Sequence, residues 1–253
     1  MRHTHIVMAL LGALMATSVS ARADEPQKLT GRVYLGIERM TGFGYTSSSR
    51  TQTLSATQST IDTQSAFSFN FFGGSTYYSL TGAPVSFAAP RLAVDVNVLS
   101  FLTVGLAAYL SWGSFRDSRN GAGATETSHV FGFGLAPRVG VTLPIGDRLI
   151  FWGRAGVTYS RLGSATPTRT SGANTADSSG YESLFWVNIE PTLLVKVVEH
   201  VSVGATFVVD LPVAGVLGRS SSVTGPTGTI TSSSSDDLSA WNVGLQLGLT
   251  AWF

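Results

Sequence analysis

Residues 239–253 read SAWNVGLQLGLTAWF. Trp241, Val243, Leu245, Leu247, Leu249, Ala251 and Phe253 occupy every second position, and Asn242, Gly244, Gln246, Gly248 and Thr250 fill the positions between. A β-strand turns successive side chains to opposite faces, so this run describes a ribbon with one greasy face and one face of small or polar groups. A tilted strand needs about 9 to 11 residues to cross the hydrocarbon core of a bilayer, and the run is long enough.

The rest of the composition agrees with burial in a membrane by strands. Of 253 residues only 12% are charged, about half the share of a typical soluble domain. There are 28 glycines, many Ser and Thr, and no Cys, which removes disulfides and thiolate metal sites without fixing a compartment. No internal stretch holds the roughly 20 apolar residues of a transmembrane helix. Net charge is +1 and no basic cluster stands out, so nucleic acid is not an expected partner. At the N-terminus, Arg2 precedes an apolar run from Ile6 to Ala16 and an Ala21-Arg22-Ala23 site. That pattern is a secretory signal peptide over 1–23, leaving 24–253 as the mature domain.

Seven further strands follow from the same alternation: 31–45, 88–98, 102–112, 129–143, 149–161, 181–197 and 201–213. Between them, polar segments at about 46–87, 113–128, 162–180 and 214–238 read as long loops, and they alternate with tight turns near Phe101, Gly146 and His200. Long connections on one side and short ones on the other are the asymmetry of outer-membrane barrels. The expected fold is therefore an all-β, antiparallel, up-and-down transmembrane barrel. It has eight strands, or ten if the aromatic run Phe67, Phe69, Phe71 and Phe72 forms a pair of its own.

Charge placement sharpens this. Glu38, Arg91, Asp95, Arg138, Arg154, Glu190 and Asp210 each lie opposite the apolar row of their own strand. An eight-stranded barrel is only wide enough inside for side chains, so four acids and three arginines are expected to pair in its lumen and, with Tyr109, Leu184 and Trp186, to plug it. Arg39 breaks the alternation next to Glu38; a bulge there, or an arginine stretching to the headgroups, would accommodate it. Pro137 and Pro191 fall inside strands and call for bulges or lumen water. Tyr45, Trp112, Tyr159, Tyr181 and Trp241 at one end, with Phe101, Phe151, Trp252 and Phe253 at the other, are expected to form two aromatic girdles.

The mature chain resembles the small bacterial outer-membrane barrels of the OmpA and OmpX type, on architecture and on the terminal strand. That resemblance implies residence in the outer membrane after export through the periplasm, contact with its lipid and lipopolysaccharide, and a monomeric state. It also implies that Leu245, Leu247, Leu249 and Phe253 are read by the barrel-assembly machinery. No cofactor or metal is expected.

Three functional classes are open. A non-enzymatic barrel with Ser/Thr/Gly-rich external loops would serve a structural or surface-interaction role. A small porin-like channel needs a continuous water path past the inward charges. A lipid-modifying enzyme needs a base, for which His129 beside Ser128 and near Glu126 is the candidate, although adjacent strand residues face opposite ways. A soluble lipocalin-like barrel would invert the faces, and the scarcity of charge argues against it.

Overall fold

The computed structural model describes residues 30–55, 58–71, 89–118, 125–171 and 174–253. The signal-peptide reading and segment 72–88 lie outside the described residues. Nine strands are present: β1 (Val33–Ser55), β2 (Gln58–Phe71), β3 (Arg91–Asn97), β4 (Leu102–Ser118), β5 (Thr125–Ile145), β6 (Leu149–Ser171), β7 (Asn174–Val198), β8 (Val201–Gly225) and β9 (Gly228–Trp252). Every pairing is antiparallel between neighbours, and β1 pairs with β9 to close the ring.

The ring has eight positions although there are nine strands. One edge of β1 is taken by β9 from Tyr34 to Thr51. On its other edge β3 pairs with Val33–Glu38 and β2 with Thr41–Ser55. Both run antiparallel to β1, so β2 and β3 share one place in the wall, one above the other. The expected eight-strand barrel is found, and Phe67, Phe69 and Phe71 of the aromatic run belong to β2, stacked along β1, instead of forming two additional staves.

Faces separate as the alternation requires. Leu35, Ile37, Leu92, Val94, Val104, Leu106, Val139, Val141, Leu193, Val195, Leu247 and Leu249 are exposed, whereas Arg91, Asp95, Asn97, Thr103, Asn188, Glu190 and Asp210 are buried. A folded chain with hydrocarbon outside and charge inside reverses the soluble arrangement, and this is the surface of a membrane-spanning barrel.

The segments read as long loops are largely strand. Strand β8 has 25 residues and β9 also has 25, well over twice the length needed for the bilayer. Their ladder continues through Ser220↔Ser233 and Ser222↔Thr231 to Gly225↔Gly228. Ser and Thr tracts show no apolar period, yet once the membrane part sets the register, each strand keeps its neighbour as a partner and the ladder carries the tract upward as extended chain. The same continuation makes tall hairpins of β1–β2, β4–β5 and β6–β7. On the opposite side the connections are short, with Gly146 at a φ of 69° inside the β5–β6 turn, and both ends of the barrel meet there: Val33 and Phe253 exchange backbone hydrogen bonds at 3.1 and 3.0 Å.

At Pro137 and Pro191 the expectation of a bulge is corrected. Leu135↔Tyr159 is followed by Arg138↔Gly156, three steps on each strand, so rungs are lost while the register holds. Beside Pro191 the same happens between Ile189↔Val209 and Thr192↔Thr206. Gly156 allows the close approach, since a Cβ there would overlap the carbonyl oxygen of Pro137.

Candidate functional site: a charged layer in the lumen

The lumen is filled in three layers. Nearest the tight turns, Tyr34, Trp152, Leu194 and Trp252 form an apolar cluster, with the Tyr34 and Trp152 rings 5.0 Å apart. Trp252 is thus inward and buried, not a member of the girdle; its even position in the terminal strand places it on the side of Asn242 and Gln246. Toward the hairpins, Leu184, Trp186, Leu217, Leu238 and Ala240 form a second cluster, in which the Trp186 indole donates to the carbonyl of Ala240 at 2.7 Å. Between the two lie the charges.

All seven sequence-predicted lumen charges meet in this middle layer, together with Arg39. Glu38 accepts both ends of the Arg138 fork at 2.6 and 2.8 Å and also bonds Arg154. From its other side the Arg138 guanidinium reaches Asp95 at 2.9 and 2.5 Å. Glu190 is the hub: Arg39 bonds it at 2.7 Å, while Arg91 and Arg154 stand at 3.5 Å and Arg138 at 3.7 Å. Asp210 takes Arg39 at 3.2 Å, Asn188 at 2.5 Å and Asn242 at 3.3 Å. The Arg154 guanidinium lies over the Trp152 ring, 4.6 Å from its centroid, which joins the charged layer to the apolar one beneath.

Arg39 is the member that alternation alone misses. On β1 the ladder passes from Ile37↔Leu249 to Thr41↔Leu247, four residues against two, so two extra residues are looped into the strand. Because the insertion is even, the faces above and below stay in phase. Arg39 takes a left-handed φ of 56° and turns inward to 3% exposure, which decides between the two expectations in favour of a bulge. Opposite it, Gly248 gives the backbone room: a Cβ there would stand 2.7 Å from the carbonyl oxygen of Ile37 and 3.1 Å from the Cα of Glu38. Adding Arg39 also turns four acids and three arginines into four of each. That imbalance, together with the break Arg39 itself makes in the alternation, was the signal in the sequence that a cation was missing from the count.

The arrangement holds charge in place with bidentate hydrogen bonds and leaves little room for anything else. Cavities beside the network measure about 10 Å³ each, about one water molecule. His129, the candidate base, is exposed on the outer face and stands with Arg161 and Tyr181 along a surface groove, away from the lumen charges. Among the described residues no cluster of three or more His, Asp or Glu side chains is arranged to hold a metal. Leu245, Leu247, Leu249 and Phe253 are exposed on the outer face of β9 and its end, and the Phe253 ring stacks on His200 at 6.4 Å.

No family model and no curated protein matches the sequence. Among solved structures the chain is similar to the outer membrane protease OmpT from Escherichia coli, at 10% identity and a TM-score of 0.42, over 93% of this chain and 100% of that one. It is also similar to a major outer membrane protein from Thermus thermophilus (13% identity, TM-score 0.45, 87% and 99% covered). A third likeness is to Ail, the attachment invasion locus protein of Yersinia pestis (9% identity, TM-score 0.34, 88% and 99% covered). At these identities and scores the likenesses assign no role to any residue.

Proposed function

We propose that the protein is a non-enzymatic barrel of the bacterial outer membrane, closed to ions, whose tall Ser/Thr-rich hairpins make it a structural or surface-interaction protein. The observation that carries this reading is the neutral layer of four arginines and four carboxylates held between two apolar clusters. An ion crossing the lumen would have to part the Arg138 fork from Glu38 and Asp95 and then pass Trp152 and Trp186. Separating a buried pair without replacement costs several kcal/mol, on the order of 3 to 5. Closure of this kind suits a scaffold and not a pore. The work of the molecule then falls to its exterior: the apolar belt for lipid, the hairpins for whatever lies outside, and the outward row of β9 for the assembly machinery. A monomer satisfies all three, since the ring closes on itself.

The experiment is single-channel recording of the refolded mature protein in planar bilayers. A flat baseline up to 100 mV is expected; steady conductance steps would overturn the reading in favour of a porin-like channel.

A further inference from the structure

The outer wall carries a feature that neither the lumen nor the hairpin tips account for. One rung of the ladder runs Trp112↔Phe131↔Gly163↔Tyr181 across β4 to β7, three aromatic residues interrupted by a glycine. All four lie on the exterior face. Over Gly163 the surface is open: a Cβ there would meet nothing nearer than the carbonyl oxygen of Phe131 at 3.9 Å. The Tyr181 ring is drawn to the far side and covers Gly218, where a Cβ would overlap it. The result is an open groove of about 850 Å³ with aromatic walls and a backbone floor.

Two basic side chains line this groove. Arg161 stands one outward position below Gly163 on β6, its guanidinium 4.8 Å from the Tyr181 ring centroid, and His129 stands one outward position above Phe131 on β5. The height of Arg161 matters. The rung beneath it, Leu135↔Tyr159↔Phe185, is apolar, and among the described residues no charged side chain faces outward between the tight-turn side and that rung. Arg161 is therefore the first cation met at the upper edge of the apolar belt, the level at which aromatic girdles meet lipid headgroups. An exposed guanidinium facing oil would be costly; one facing a phosphate gains a charge-assisted, two-pronged contact.

We infer that the groove over Gly163 is a binding site for a phosphate-bearing lipid of the leaflet on the hairpin side, with Arg161 on the phosphate, His129 beside it, and an acyl chain descending over Tyr159 and Phe133. The inference rests on the membrane-spanning reading but not on the closed lumen. The walls supply shape, through Phe131 and Tyr181, and the arginine supplies charge selectivity. A lipid without a phosphate satisfies the walls and leaves the guanidinium without an anionic partner.

The test uses the mature chain refolded in detergent and native mass spectrometry with two probes of identical acyl composition, a diphosphorylated glucosamine lipid and its phosphate-free form. The wild type is expected to retain the phosphorylated probe at least ten-fold more. Arg161→Gln is expected to abolish that preference and Arg161→Lys to keep part of it, while Gly163→Leu fills the groove and lowers retention of both probes. Equal retention of the two probes, an Arg161→Gln variant that behaves as wild type, or inorganic phosphate displacing the lipid at equal concentration would each overturn the proposal. Heat-modifiable gel migration accompanies every variant. Normal migration without lipid preference sinks the lipid site alone, whereas a chain that stays monodisperse in plain buffer sinks the membrane reading and the site together.

Discussion

Arg39 bonds Glu190 at 2.7 Å across the lumen, 151 positions away in the chain, and it does so only because two extra residues are looped into β1 at that height. In a regular strand Arg39 would follow Glu38 onto the outer face and meet hydrocarbon, where an arginine at the midplane costs about 2 to 4 kcal/mol. The bulge converts that liability into the fourth cation of a neutral layer. Glu190 and Asp210, the two carboxylates it serves, come from adjacent strands β7 and β8, so one side chain ties the first strand to the wall across from it.

Removing that tie should be expensive. Arg39→Ala leaves Asp210 with only its asparagine partners and Glu190 with arginines at 3.5 Å or beyond. The expected loss is about 3 to 5 kcal/mol of unfolding free energy, as for a buried pair broken on one side. Urea titration of the protein folded in short-chain lipid vesicles measures it. Because the groups touch, Arg39→Ala and Asp210→Asn should couple by more than about 1 kcal/mol in a double-mutant cycle; strict additivity would mean the bond contributes nothing.

Gly248 is the other half of the bulge. Gly248→Ala places a methyl group against the carbonyl of Ile37, in backbone that has little freedom to retreat, and should cost roughly 1 to 3 kcal/mol. Gly153→Ala is the control, because its Cβ meets only Phe151, at 3.4 Å. Equal effects of the two substitutions in the same titration would show that the bulge does not depend on the glycine.

Closure is expected to be redundant. Glu38→Ala with Arg138→Ala removes one acid and one base, so the layer stays neutral, with three of each, and the apolar clusters still cap it on both sides. No conductance should appear. Adding Trp152→Ala and Trp186→Ala takes away a fully buried tryptophan from each cluster, and discrete openings are then expected in planar bilayers. Openings in the charge double variant alone would place the whole seal in the ion pairs.

Much of this architecture was legible in the residues, for a simple reason. Where one face meets lipid and the other a narrow polar lumen, period two is imposed at every step, and Leu92, Val94, Leu247 and Leu249 record it as plainly as Arg91, Asp95 and Asn242 do. Arg39 was legible only as a break in the alternation, with a bulge and a reach to the headgroups both open, because counting by two cannot see an even insertion. The hairpins escaped for the opposite reason. Tracts such as 231–235, all Ser and Thr, touch neither oil nor a tight core, so no period is selected, and only the partner strand reveals that they are extended. The shared stave of β2 and β3 is a property of pairing along β1, and neither strand's own sequence announces it.

The sharpest check on which face is which comes from the five tryptophans. Trp241 is 39% exposed and packs against Tyr45 at 5.3 Å on the exterior, whereas Trp252, eleven residues further on, is 6% exposed inside the barrel. Single-tryptophan variants with the other four changed to Phe, folded into vesicles of brominated lipid, read the difference directly, since bromine quenches only on contact. Trp241 should lose most of its emission, and Trp152, Trp186 and Trp252 should keep theirs. Strong quenching of Trp252 would reverse the parity of β9, and with it the inward assignment of Asn242 and Gln246 and the register that holds Arg39 against Glu190.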